Sequence, residues 1–154
     1  MTRKVLINEI LPLSEGDYWA AARQEWELEW VMDVEKPETC LCGHFPINEL
    51  CVLRNNKNGR SVTVGNVCVR QFTDLKPDLI LQAFQRIKST YEGKLNKAAI
   101  KYAYKKGWMT GWEQGFYLDI RNMRSLSVAQ SKILERINDK VTQGYDRATT
   151  RHQR

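Results

Sequence analysis

Residues 40–72 read CLCGHFPINELCVLRNNKNGRSVTVGNVCVRQF, and this stretch decides the fold. It contains Cys40, Cys42, Cys51 and Cys68, all four cysteines of the 154-residue chain. Clustered thiols serve disulfides or a metal, and four thiolates hold Zn²⁺ in a closed, structural tetrahedron. The rest of the chain argues for metal. Residues 4–13, KVLINEILPL, begin like a secretory leader but are interrupted by Asn8 and Glu9. No apolar run approaches the ~20 residues of a membrane span, and no lipidation motif stands at either end. The chain is therefore expected in the cytoplasm, away from membranes, where disulfides are rare.

The residues between the cysteines order the module. Glu49 to Arg54 alternates like a strand. Asn55-Asn56-Lys57-Asn58-Gly59 is a turn, because Asn and Gly tolerate positive φ. Ser61 to Val64 returns as the second strand, Gly65-Asn66 breaks it, and Val67 to Phe72 begins a helix. A Cys-x-Cys knuckle, a hairpin carrying one cysteine and a cysteine on a helical first turn make a treble-clef-like arrangement. The helix N-terminus favours a thiolate at Cys68 through its dipole and free N–H groups. For the fourth ligand, Cys51 is preferred, since the start of the hairpin can point back toward the knuckle. His44, two residues past Cys42, is the alternative, or else a hydrogen-bonding group beside the site.

The pattern C-x-C-G-H-x-P-I-x-E-x-C-x-x-x-N-x-x-x-G, followed by V-G-N-V-C-V-x-x-F, resembles a group of small zinc-binding proteins carried by phages, plasmids and prophages. The likeness runs from Cys40 to Phe72, about a fifth of the chain. It implies a zinc module. Related treble-clef proteins carry His where Cys51 stands, which implies a ligand role for Cys51. Their usual C-x-x-C knuckle is shortened here to Cys40-Leu41-Cys42.

Charge is unevenly distributed. Residues 1–75 carry 8 Lys and Arg against 11 Asp and Glu, whereas residues 76–154 carry 16 against 7. The acidic part is Glu25, Glu27, Glu29, Asp33, Glu35 and Glu38. Such polarity suits one surface to an anionic partner. Trp19, Ala22, Trp26 and Trp30 recur every three or four residues and predict a helix over 16–32, with Asp17 as its cap. Pro77 opens a second helix, followed by Leu79, Leu81, Phe84, Ile87 and Tyr91 and ending near Gly93. Three more are expected over about 94–106, about 110–123 with a Thr110/Glu113 capping box, and from Ser127 to Gly144. The aromatic run Trp108, Trp112, Phe116, Tyr117 reads as core, with base stacking as its functional alternative. Trp112-Glu113-x-x-Phe116 and Leu126-Ser127-x-x-Gln130 loosely resemble a helical segment at the ends of mobile-element proteins, which implies no activity.

These readings give an α+β fold: a small treble-clef-like zinc module with a β-hairpin, followed by a C-terminal helical bundle. The expected parts are an N-terminal helical segment 1–36, the zinc module 37–75, a basic helical domain 76–146 and a flexible tail 147–154 that exposes His152. Lys94, Lys97, Lys101 and Lys105 share one helix face with no acid among them to form i,i+4 pairs. That row suits phosphate neutralisation, and Arg54, Lys57 and Arg60 of the hairpin offer a second basic patch. No phosphate loop, H-E-x-x-H or nucleophile elbow appears, so no enzyme is expected. The expected function is zinc-stabilised nucleic-acid binding, to DNA or RNA, in a mobile-element protein. The alternative is a protein-binding adaptor or inhibitor subunit of nucleic-acid machinery, with the acidic, Trp-rich segment as its interface.

Overall fold

In the computed structural model, residues 2–72, 76–90 and 93–152 are described. Tyr91, the side chain of His152 and the last two residues of the expected tail lie outside them. The chain divides into two units, Met1–Asp78 and Leu79–Arg154.

The first unit departs from expectation at its most Trp-rich segment. The helix predicted over 16–32 is only one turn, α2 (Trp19–Ala22), followed by a 3-10 turn, Arg23–Glu25. Trp26–Glu38 is then a 13-residue strand, β1. Two tryptophans four residues apart satisfy both helical and strand periods, so the residues between them decide. Glu27-Leu28-Glu29 alternates with period two, and pairing with the hairpin satisfies the strand's backbone groups. β1 runs antiparallel to β2 (Ile47–Asn55), and β2 to β3 (Ser61–Gly65), giving the sheet order β1-β2-β3. A register shift falls between Leu28 and Trp30, and Val31 stands opposite Cys51. Trp26 and Trp30 are buried, as are Leu50, Cys51 and Leu53 of the central strand. Helix α1 (Thr2–Ile10) buries Leu6 and Ile10, one turn apart, and packs against a 3-10 turn at Cys68–Gln71. That single 3-10 turn stands where a helix start was expected.

A buried polar knot ties the hairpin turn to the N-terminal segment. Glu25 accepts from the backbone N–H of Glu15 at 2.8 Å and of Gly16 at 2.7 Å. It also accepts from the Asn55 amide at 3.0 Å, and Asn55 in turn accepts from the N–H of Lys57 and Asn58. Burial works to raise the pKa of Glu25, but these hydrogen bonds outweigh it and hold the carboxyl below its ordinary value.

The second unit is helical. α3 (Pro77–Ser89) begins at the unit boundary and is followed by α4 (Lys97–Lys105), α5 (Gly111–Ile120) and α6 (Val128–His152). Asn96 caps α4 by accepting from Ala99 N–H at 2.9 Å. The Thr110/Glu113 capping box of α5 forms in both directions. Ser127 and Gln130 exchange equivalent bonds at the start of α6. Phe84 gathers Tyr102, Trp108 and Tyr145 around it, with ring centroids 5.9, 5.8 and 5.2 Å away. α6 does not stop at Gly144 but continues to His152, within the stretch expected to be a flexible tail. The glycine serves packing instead of termination, since a Cβ there would lie 2.5 Å from Trp108 Cδ1. Tyr117 is fully buried; its hydroxyl donates to Asn138 at 2.6 Å and accepts from Leu95 N–H at 2.9 Å.

Candidate metal centre

The Cys40-Leu41-Cys42-Gly43-His44 segment closes on itself. Gly43 N–H donates to Cys40 O at 2.8 Å, and Cys40 N–H donates to His44 O at 2.9 Å. Gly43 takes φ +92°, a conformation in which an L side chain is strained. The knuckle is anchored to the sheet by Leu41 N–H to Thr63 O at 3.1 Å and by Gly65 N–H to the Cys40 sulfur at 3.3 Å. The 3-10 turn after β3 then delivers Cys68. The Sγ atoms of Cys40, Cys42 and Cys68 all lie within 4.8 Å of one another, and all three residues are buried. None is in a disulfide.

This donor set fits a soft metal. Thiolates on one tetrahedral ion sit at bond lengths near 2.3 Å, which brings their sulfurs within about 4 Å of each other. Burial alone would raise the Cys42 thiol, but the His44 N–H and the thiols of Cys68 and Cys40 outweigh it and hold it low. Cys68 is pushed upward, by burial first and then by its neighbours Cys42 and Cys40. Cys42 and Cys68, so close together, resist joint ionisation unless a cation shares their charge.

Cys51, the preferred fourth ligand, is not in this group. It is fully buried between Val31 and Val64 on the neighbouring strands. Burial, ahead of repulsion from Glu49, Asp78 and Cys40, pushes its thiol up to about 12. It stands in the buried alternation of β2 with Leu53 and Asn55. The cavity over the three cysteines, about 290 Å³, is also lined by His44, Glu49 and Asn66. His44 is exposed. Glu49 was not singled out as a ligand; its Oε1 is buried without a hydrogen-bond partner. Its pKa is raised by burial first and then by Asp33 and Asp78.

The lysine row is only partly a surface. Lys97, Lys101 and Lys105 are exposed on α4. Lys94 lies before the helix and donates to Met123 O at 2.6 Å and Ile120 O at 3.3 Å, so it caps the end of α5. In the hairpin, Arg54, Lys57 and Arg60 are exposed, and Arg60 Nη1 reaches Pro12 O at 3.2 Å. Trp112, expected in the core, is 65 % exposed.

No family model matches the chain, and no curated protein or solved structure matches it either. No helix among the described residues is long and apolar enough to cross a membrane.

Proposed function

We propose that this chain is a zinc-stabilised nucleic-acid-binding protein that grips the phosphate backbone through the exposed face of α4. The observation that carries the binding half is the spacing of Lys97, Lys101 and Lys105, one turn apart and all exposed on a unit rich in positive charge. Like charges in register repel, and a polyanion relieves that cost while releasing its counterions. Zinc is the metal proposed for the thiol cluster, with Cys40, Cys42 and Cys68 as three ligands. His44, which lines the same cavity, is proposed as the fourth, because Cys₃His is an established structural set. Glu49 is the competing donor on that wall. Bound zinc would supply folding energy to the hairpin and no chemistry of its own. The order of knuckle, hairpin and Cys-bearing turn supports a treble-clef-like module of the mobile-element type, working in the cytoplasm. The adaptor reading keeps an exposed acidic face at Glu27, Asp33, Glu35 and Glu38, while Trp26 and Trp30 are buried in the sheet.

The test is a salt titration of binding to DNA and RNA, comparing wild type with the Lys97→Ala/Lys101→Ala/Lys105→Ala variant. If each lysine meets one phosphate, the log–log salt slope falls by about 3. Lys94→Ala should instead lower stability and leave the slope unchanged. Absence of binding to any nucleic acid at low salt would reject the reading in favour of a protein partner.

A further inference from the structure

The second unit carries an aromatic platform that its own fold does not use. Five residues separate the end of α4 from the start of α5, and Trp112 is the second residue of α5. The Trp112 indole is 65 % exposed, and its inner face stacks on Phe116, with ring centroids 5.5 Å apart and planes 16° from parallel. Leaving so large an apolar ring in water forgoes the free energy its burial would give. The same side of α5 carries Gly111 and Gly115, where an added Cβ would meet nothing within 4 Å. Tyr104, at the end of α4, is 46 % exposed.

We propose that Trp112, backed by Phe116, is a stacking platform for an unpaired base of single-stranded nucleic acid. This inference rests on the nucleic-acid reading above and narrows it to single strands. Charge selects the occupant. Residues 79–154 hold 15 Lys and Arg against 6 Asp and Glu. α4, with exposed Lys97, Lys101 and Lys105, packs directly against α5. Glu113, next to Trp112 in sequence, is paired with Lys140 at 2.6 Å and accepts from the Thr110 N–H of the capping box. Asp119, the remaining acid of α5, lies two turns further along the helix. Single-strand binders combine a cationic track for the backbone with aromatic faces for the bases, and a duplex keeps its base faces covered. Phe116 holds the indole plane in place, so little side-chain freedom is lost when a base lands on the outer face.

Binding of fluorescein-labelled oligothymidine, oligouridine and a DNA duplex of equal length tests this on the full chain. Trp112→Ala should weaken single-strand binding about tenfold, while Trp112→Tyr retains most of it. Duplex binding and the salt slope should stay as in wild type, which separates stacking from the lysine contribution. Because the ring is exposed, the variant's unfolding midpoint should match wild type. Equal single-strand affinity in wild type and Trp112→Ala overturns the platform but leaves the backbone reading standing. An equal loss for duplex and single strand overturns it too. No binding of any nucleic acid by wild type overturns both readings and assigns the exposed ring to a protein partner.

Discussion

Glu25 is the side chain on which the first unit most depends, apart from the cysteines. It is 2 % exposed, yet every hydrogen bond it makes goes to a donor that has no other acceptor described, namely Glu15 N–H, Gly16 N–H and the Asn55 amide. Glu25→Gln puts an amide against these donors, and a buried donor without an acceptor costs about 1–3 kcal/mol. The carboxyl has a folded pKa below its unfolded one, so its contribution is complete above the unfolded value, near 4.5, and fades as pH falls through the folded value. Urea unfolding of wild type should therefore show stability falling below about pH 4.5, and Glu25→Gln should flatten that part of the profile. A profile identical in both proteins would show that Glu25 is not anchored as described. At the same scale, the clustering of Cys40, Cys42 and Cys68 was legible from spacing, whereas the place of Cys51 outside their group was not. Its signal lay in its neighbours: Cys51, Leu53 and Asn55 are alternate residues of β2 and are all buried, the mark of a core-facing strand position.

At the scale of elements, the helices of the second unit were readable because their caps are local chemistry. Thr110, Glu113, Ser127 and Gln130 make their bonds within three residues of each other. β1 was not readable in the same way, since a strand is stabilised by a partner far along the chain. Trp26 pairs with Asn55 and Met32 with Leu50, and these pairings override a 3–4 spacing of tryptophans. The extent of α6 was hidden for a related reason. Gly144 looks like a stop signal but is a contact surface for Trp108. Gly144→Ala tests this with two opposed effects. Helix propensity alone predicts a gain of about 1 kcal/mol. The clash with the indole, an inflexible ring at 2.5 Å, predicts a loss of about 1–3 kcal/mol. We expect the clash to win, with a lower unfolding midpoint and a perturbed near-ultraviolet signal from Trp108. A stabilised Gly144→Ala would mean that the helix end and the indole are not packed together.

For the whole molecule, α+β composition and the contrast of an acidic N-terminal part with a basic C-terminal part followed from the sequence. The three-stranded sheet did not, because only two of its strands lie in the cysteine-bearing stretch and the third was read as helix. The central proposal is that the first unit is built around a metal, held by a cysteine cluster compatible with one. The knuckle, the end of β3 and the turn at Cys68 converge on three buried sulfurs. Structural zinc supplies folding energy directly. The most direct measurement is metal content and thermal unfolding of the full chain, expressed and purified without added metal, for wild type, Cys68→Ser and Cys51→Ser. The account predicts one zinc per wild-type chain, near-complete loss of zinc with a destabilised first unit in Cys68→Ser, and full retention of zinc in Cys51→Ser. A wild-type protein that is folded with no bound metal, or a Cys51→Ser variant that loses zinc as fully as Cys68→Ser, would contradict it.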